Sequence, residues 1–165
     1  MSFIRLKKRV RKEKTVYYAY LVSNKWSKFL PKQKVKAYLG RYYKLDSKST
    51  QKPEFKKINL LNLLKKELIS YNFKQKRKSL FIHAEGYKVD LNKKEVLNNQ
   101  TNKCVLGINQ GFLCNYTLNK LLSFKPKSKN KKEEGSKLIK VILDSGIEAN
   151  KEIFLNLFNK LFKKS

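Results

Sequence analysis

The sequence reads Thr-Val-Tyr-Tyr-Ala-Tyr-Leu-Val over residues 15–22 and Gln-Lys-Val-Lys-Ala-Tyr-Leu-Gly-Arg over residues 33–41. In both stretches, β-branched and aromatic residues alternate with polar residues, which is typical of strands that bury one face. The same alternation begins at Phe3 and ends at Lys12, and the connection that follows is short enough for a hairpin. We therefore predict a three-stranded antiparallel meander over residues 1–43. Its strands are predicted at residues 3–12, 15–22 and 33–43.

Because side chains alternate across a strand, the meander should have one apolar and one polar face. The apolar face is predicted to hold Ile4, Leu6, Val10, Tyr17, Ala19, Leu21, Val35, Ala37 and Leu39. The other face holds cations at its flanks and tyrosines along its middle, together with Val16, Val22 and Tyr42. These cations and tyrosines, with one further arginine of the third strand, are the candidate nucleic-acid-binding residues. They are Arg5, Lys7, Arg9, Arg11, Tyr18, Tyr20, Lys34, Lys36, Tyr38 and Arg41.

This combination of residue types suits nucleic acid, DNA or RNA. Lysines and arginines neutralise phosphates and release counterions, and exposed aromatic rings offer stacking platforms to bases. A second interpretation stays open, in which Tyr18 and Tyr20 pack under another segment. In that case, the charged flanks serve to protect the strand edges from aggregation.

Charge is distributed unevenly along the 165 residues. Lys and Arg number 40 and Asp and Glu 12, which gives a formal net charge of +28 at pH 7. Residues 1–53 hold 16 basic and 2 acidic side chains, whereas residues 79–124 hold 5 and 3. Self-repulsion at this density disfavours a compact state unless an anionic partner or counterions screen it. Because 41% of the residues are hydrophobic, a folded core is still expected.

Residues 55–124 predict an amphipathic helix followed by a small second antiparallel sheet. Apolar residues recur at helical spacing from Phe55 to Phe73, and those of residues 80–106 alternate in short runs. Helical spacing resumes at Thr117, the candidate N-cap of a short helix. The chain is thus assigned to the α+β class.

Two stretches carry almost nothing apolar and are predicted to be linkers. The first, residues 44–54, separates the meander from the central unit. The second, residues 125–135, is of low complexity and is predicted to be disordered.

A helical hairpin is predicted over residues 136–165. Ser136 should cap its first helix, Gly146 should end that helix, and Asn150 should cap the second. The second helix presents an apolar face made of Phe154, Leu157, Phe158 and Leu161. This hairpin is expected to pack on the helix of residues 55–73 or on a protein partner.

Residues that could support catalysis are few, and we predict no catalytic site. His83 and Glu85 alone do not supply a nucleophile, a base and an orienting group, so a structural histidine is favoured. The acidic residues are few and scattered along the sequence, so a two-metal nuclease site would need Glu85, Asp90 and Glu95 to come together in the fold.

The sequence also predicts no cofactor and no metal site. Cys104, Cys114 and the single histidine are too few for a four-ligand zinc site, and two cysteines do not make a disulfide framework. Both cysteines are expected to be reduced core residues. The segment from Gly107 to Gly111 lacks the features of a phosphate-binding loop and is predicted to be a tight turn.

No run of the chain approaches the roughly 20 apolar residues of a spanning helix, and its N-terminus has no apolar signal region. The basic helices lack a membrane-insertion face, and Trp26 is the only tryptophan. We therefore expect no membrane span and a cytoplasmic location, on the nucleoid or on ribosomes.

Residues 17–41 resemble the N-terminal region of some insertion-sequence transposases, in which a Tyr-rich strand leads through a turn to a basic strand ending in Tyr-Leu-Gly. In that family, the strand pair precedes an RNase H-like catalytic domain with three acidic metal ligands, for which this chain is too short and too poor in acidic residues. The whole chain is also similar to small Lys-rich archaeal proteins of unassigned function. The resemblance implies a module that contacts nucleic acid without the catalytic half.

Three functional hypotheses follow from the sequence. The first is a non-enzymatic nucleic-acid-binding protein that docks through its N-terminal sheet, on DNA or on RNA, including as a ribosome-associated structural protein. The second is a basic adaptor whose C-terminal helices bind a protein. An enzyme comes third.

Overall fold

A computed structural model describes residues 2–26, 30–46 and 57–162 of the chain. Within these residues, it contains nine strands and four helices in a mixed α+β architecture. In chain order, the elements are β1 (Ser2–Arg11), β2 (Lys14–Trp26), β3 (Pro31–Lys44), α1 (Leu60–Ser70), β4 (Lys74–Arg77), β5 (Leu80–Ile82), β6 (Lys88–Asp90), β7 (Glu95–Leu97), β8 (Cys104–Ile108), β9 (Gly111–Leu113), α2 (Asn115–Leu122), α3 (Lys131–Asp144) and α4 (Lys151–Phe162).

Strands β1, β2 and β3 form the predicted antiparallel meander. Strands β2 and β3 are longer than the sequence pattern indicates, because β2 continues to Trp26 and β3 begins at Pro31. Only Lys12 and Glu13 connect β1 to β2, and their φ angles are both positive, at 43° and 62°. Such a turn matches the right-handed twist of the paired strands.

The meander continues into a larger sheet through a parallel pair of strands. The sheet order is β1-β2-β3-β8-β9, and Arg41 of β3 lies opposite Cys104 of β8. The sequence pattern assigns residues 104–106 to the small second sheet, and this assignment is wrong. Parallel strands need a long crossover. Alternation within β8 carries no information about which distant strand it pairs with, so the sequence pattern could not place residues 104–106 beside β3.

Gly40 allows the loop before β8 to lie directly against β3. Its φ is +125°, and a Cβ atom there would lie 2.3 Å from the carbonyl oxygen of Lys103 and 2.9 Å from the Cα of Cys104. Both neighbours are backbone atoms, so a side chain at this position would force the two strands apart.

The crossover holds α1 and the predicted small sheet, whose order is β4-β5-β6-β7 with antiparallel pairing throughout. Helix α1 begins after Asn59, whose side chain accepts the N–H of Asn62 at 2.7 Å. It is therefore shorter than the helix predicted over residues 55–73, of which residues 55 and 56 lie outside the described part.

The two predicted linkers have different outcomes. In the first, Lys44 still belongs to β3 and Leu45 is buried, whereas residues 47–54 lie outside the described part. In the second, α3 begins at Lys131 instead of near Ser136. Residues 131–135 are thus helical, and this part of the linker prediction is wrong.

Polar side chains, which the periodicity of apolar residues does not reveal, explain why α3 begins before Ser136. Asn130 is its N-cap and accepts a helix N–H at 3.2 Å. Glu134 is buried, and its carboxylate accepts from the ammonium of Lys137 at 2.9 Å and from the backbone N–H of Lys127 at 3.1 Å. The Lys137 ammonium, with the smaller help of that N–H, lowers the pKa of the Glu134 carboxyl.

The ends of the other helices follow the sequence in part. Cys114 is the N-cap of α2, and the predicted cap Thr117 is instead the third residue, whose hydroxyl accepts the N–H of Cys114 at 3.1 Å. Gly146 does end α3, with a φ of +74° that lets two N–H groups close onto the last helical turn. Asn150 does cap α4, since its Oδ1 accepts the N–H of Ile153 at 2.8 Å.

Two hydrophobic cores lie on the two sides of the five-stranded sheet. The larger core joins the helices, the small sheet and β8, and it includes Leu64, Leu68, Phe81, Leu106, Leu118 and Leu138. The smaller one is centred on Ala19, Val105 and Cys114. The predicted apolar face of α4 packs on the larger core through the buried Leu157 and the half-buried Phe154 and Leu161. None of the described helices has both the length and the apolarity needed to cross a membrane.

The tight turn between β1 and β2 yields a stability prediction. Replacing Glu13, which has φ 62°, by Gly should stabilise the hairpin by about 0.5–1 kcal/mol, because relief of the left-handed conformation exceeds the added chain entropy. Hydrogen exchange of the β1 and β2 amides should then slow by roughly two- to fivefold. Lys14→Gly is the control, since Lys14 lies in β2 and its replacement should speed exchange.

The contact at Gly40 yields a second stability prediction. Gly40→Ala should lower the free energy of unfolding by at least about 1 kcal/mol, because both the positive φ and the nearby backbone oppose a methyl group. Urea denaturation measures the loss. Gly135→Ala is the comparison, because Gly135 lies inside α3, where alanine is the better helix former by about 1 kcal/mol. A Cβ there would meet no backbone but the Phe158 side chain, at 3.0 Å from its ring. Equal losses in both variants would contradict the special role of Gly40.

Candidate nucleic-acid interface

The strand register brings cations and tyrosines together on one face of the meander. Residues that are directly opposite in an antiparallel pair project from the same face. Arg5 lies opposite Tyr20, which lies opposite Tyr38; Lys7 lies opposite Tyr18, which lies opposite Arg41. We call this surface the basic tyrosine face. Its members are Arg5, Lys7, Arg9, Arg11, Tyr18, Tyr20, Tyr38 and Arg41.

The three tyrosines form a cluster in the middle of this face. The ring centroid of Tyr38 lies 6.2 Å from that of Tyr18 and 5.3 Å from that of Tyr20, with tilted planes. Tyr38 is 57% exposed, and the other two are half-buried. Partial burial, followed by the neighbouring tyrosines, raises the pKa of the Tyr38 hydroxyl above its ordinary value.

Cations lie over the tyrosine rings. The Lys7 ammonium is 5.0 Å from the ring centroid of Tyr20, and the Arg9 guanidinium is 5.6 Å from that of Tyr18. Arg41 lies 5.1 Å from the ring of Tyr43, and Arg5 donates a hydrogen bond to the side chain of Gln33. In the described part of the chain, no carboxylate forms an ion pair with these four cations. Their charge is therefore available to an anion.

Two of the predicted site residues, Lys34 and Lys36, are not on this face. Lys34 lies opposite Ser23, which lies opposite Ser2, and the Lys36 ammonium donates to the Ser2 hydroxyl at 3.0 Å. Their placement on the basic face is therefore wrong.

Register shifts in β3 cause this error. One shift falls between Ala19 and Tyr20 of β2 and another between Leu21 and Val22, and each inserts one extra residue into β3. A bulge reverses the alternation beyond it. For the same reason Tyr42 packs in the smaller core, and Val35 lies opposite Val22 instead of on the apolar face.

A cleft of about 460 Å³ adjoins the basic tyrosine face, and the sequence interpretation missed it. We call it the amide cleft. Its lining includes Tyr38, Arg41, Tyr43, Gln100, Asn102 and Lys103. The last three lie on the loop between β7 and β8, a stretch that reads in the sequence only as a polar turn. No signal in that turn indicates that it lies beside β3.

A second basic surface was also missed, in a cleft of about 530 Å³ between α2 and α3. It is lined by Lys120, Lys125, Lys127, Lys137 and Lys140, together with Glu134 and Asp144. The two carboxylates form ion pairs with Lys137 and Lys140, at 2.9 and 3.1 Å, and so neutralise part of the charge. The signal was present in the lysines of residues 125–127, which the sequence interpretation assigned to a disordered linker.

The residues considered for catalysis contact aromatic rings or backbone N–H groups close to them. His83 is buried between the rings of Phe73 and Tyr87, at 5.0 and 5.8 Å, and its Nδ1 accepts the N–H of Glu85 at 3.2 Å. Asp90 accepts two N–H groups of its own turn. Among residues 2–26, 30–46 and 57–162, no three His, Cys, Asp or Glu side chains are grouped so as to hold a metal ion.

Both cysteines are buried and unpaired, as core residues should be. Burial, followed by the neighbouring Cys114, raises the pKa of the Cys104 thiol to about 12. Burial likewise raises the pKa of Cys114. The segment from Gly107 to Gly111 is the predicted tight turn, since only Asn109 and Gln110 connect the paired Ile108 and Gly111.

Exposure of the tyrosine cluster predicts how its loss affects stability. Tyr38→Ala should change the free energy of unfolding by less than about 1 kcal/mol, because the ring is more than half exposed. Tyr71→Ala should cost about 3–5 kcal/mol, because that ring is buried and its hydroxyl accepts the N–H of Asn109 at 2.7 Å. Thermal unfolding compares the two. A loss at Tyr38 as large as at Tyr71 would show that Tyr38 is a core residue.

The chain matches no protein-family model, and searches of curated proteins and of solved structures find no match to it. The transposase-like strand pair therefore stays a resemblance of residues 17–41 alone. Function has to be inferred from the chemistry of the surfaces described above.

Proposed function

We propose that this protein binds nucleic acid through the basic tyrosine face and acts as a binding protein without catalysing a reaction. The observation that carries the proposal is the tyrosine cluster with Lys7 and Arg9 over its rings. A nucleic acid carries both phosphates and bases, and this face places cations within 5.0 and 5.6 Å of aromatic ring centroids, so that one surface could contact both.

Electrostatics supports a polyanionic ligand. Glu13 is the one acidic residue between Ser2 and Lys44. It lies in the turn at the end of the β1–β2 hairpin and outside the tyrosine cluster. A phosphate chain on this face would therefore meet cations of β1, β2 and β3 with no competing carboxylate from these three strands, and each neutralised phosphate would release counterions to the solvent.

The tyrosine cluster supports nucleic acid over other polyanions. An acidic protein surface or an anionic membrane needs only charge, whereas exposed rings add stacking with bases, worth about 1–3 kcal/mol for each stacked base. The rings are also held in place, because Lys7 and Arg9 lie over them and the strand register fixes their spacing.

The other surfaces suit a nucleic acid less well. The cleft between α2 and α3 has lysines, two of which are already paired with carboxylates. Another cleft, between the start of β1 and the end of α3, is lined by Asp144 and Glu148 and by none of the described lysines or arginines, so it offers a phosphate no cation. The apolar face of α4 packs on the larger core, so among the described residues of the two C-terminal helices the adaptor hypothesis has three exposed large apolar side chains, Ile139, Leu143 and Leu155.

Such a protein would reside where its ligand is, on the nucleoid or on ribosomes. The resemblance to transposase strands favours DNA, and the small size with exposed tyrosines favours RNA. Crosslinking in the native cell, followed by sequencing of the bound nucleic acid, identifies the ligand.

Charge removal on the two basic surfaces tests the proposal. Replacing Lys7, Arg9 and Arg41 together by Gln should weaken binding to all labelled oligonucleotides. It should also reduce the slope of log K against log salt by about 0.7–0.9 for each lost phosphate contact. Fluorescence anisotropy across a salt series measures both effects.

The control triple variant replaces Lys120, Lys125 and Lys127 by Gln and so removes the same charge from the cleft between α2 and α3. It should bind nearly as well as the unmodified protein, with a similar salt slope. If the control variant loses more affinity than the face variant, the basic tyrosine face is not the site.

A further inference from the structure

We infer that the amide cleft holds one unpaired base of a single-stranded nucleic acid, next to bases that stack on the tyrosine cluster. This inference rests on the proposed function and adds to it a preference for single strands. It follows from the side chains that line the cleft, from the hydrogen bonds that hold the backbone of their loop, and from the continuity of the cleft with the basic tyrosine face.

The cleft offers the hydrogen-bonding groups that a base edge requires. Gln100 and Asn102 are exposed, and each amide presents a donor and an acceptor side by side. Every base has neighbouring donors and acceptors on its pairing edge, and an amide can complement them. In a duplex, this edge is already occupied by the opposite strand, so the cleft selects an unpaired base.

The loop that carries these amides is fixed before any ligand binds. Asn98 is 5% exposed, and its Oδ1 accepts the N–H groups of Gln100 and Asn102 at 3.0 and 2.9 Å. Its amide nitrogen donates to the hydroxyl of Tyr43 at 3.3 Å, which ties the loop to β3. Binding therefore requires little ordering of the protein backbone.

The cleft is continuous with the basic tyrosine face because Tyr38 and Arg41 belong to both. A strand crossing the cluster could place one base in the cleft and the next on the Tyr38 ring. Arg41 and Lys103 at the cleft would then meet the intervening phosphate. No carboxylate lines the cleft within the described residues. Its volume of about 460 Å³ lies in the range of about 300–1,000 Å³ that is usual for ligand pockets.

The test compares three labelled ligands of equal length: a single strand of mixed sequence, its duplex and a single strand of abasic sugar-phosphate. The single strand and the duplex are each measured as RNA and as DNA, and this comparison identifies the sugar that the protein prefers. The double variant Gln100→Ala with Asn102→Ala removes the proposed base contacts. The control double variant, Asn92→Ala with Asn156→Ala, removes two exposed amides elsewhere, and thermal unfolding verifies that both variants fold.

The unmodified protein should bind the single strand more tightly than the duplex or the abasic strand. The Gln100 and Asn102 variant should lose about tenfold in affinity for the single strand, with little change for the duplex and the abasic strand. The control variant should bind all ligands normally. One outcome would overturn the cleft inference alone: the Gln100 and Asn102 variant binds the single strand normally, whereas the variant that replaces Lys7, Arg9 and Arg41 binds it more weakly. The proposed function would then stand. If neither change affects binding, the proposed function fails as well.

Discussion

The parallel pairing of β3 with β8 is the constraint on which the rest of the structure depends. It joins the N-terminal meander to the rest of the described chain, and the described residues between the two strands include α1 and the small sheet. The pairing requires close backbone contact at Gly40, where a methyl group would collide with Lys103. The same contact brings the loop of Gln100 and Asn102 beside Tyr38. One glycine thus connects the sheet topology to the candidate binding surface.

The irregularities of β3 decide which side chains meet on that surface. Two bulges reverse the alternation of the strand, so that Lys34 and Tyr42 face away from the tyrosine cluster while Tyr38 and Arg41 face toward it. A regular strand could not present Tyr38 and Arg41 on one face, because they are three positions apart and side chains at odd offsets lie on opposite faces. The bulges are therefore what builds the contact between the tyrosine cluster and the amide cleft.

A structural feature could be predicted from the sequence when the interactions that form it join residues close together along the chain. Alternation and turn residues are local, and they predict the meander, the stop at Gly146 and the cap at Asn150. The bulges, by contrast, depend on how β3 fits β2, and so Lys34 and Lys36 were misplaced. The start of α3 was missed because it depends on the pairing of Glu134 with Lys137, in a segment whose composition resembles disorder. The amide cleft was missed because a polar turn gives no sign of the strand it lies against.

The distribution of charge links stability to the proposed binding. In the larger core, apolar packing holds the helices and the small sheet together, and residues 79–124 within it hold only 5 basic and 3 acidic side chains. The meander instead concentrates cations on a surface with little apolar cover, where their mutual repulsion opposes folding. The tyrosine rings offset part of this cost, because Lys7 and Arg9 lie over them. A bound polyanion would remove more of the repulsion and would stabilise the meander in proportion to its affinity. The dense cations that suit this face to nucleic acid thus also lower the stability of the meander when no polyanion is bound.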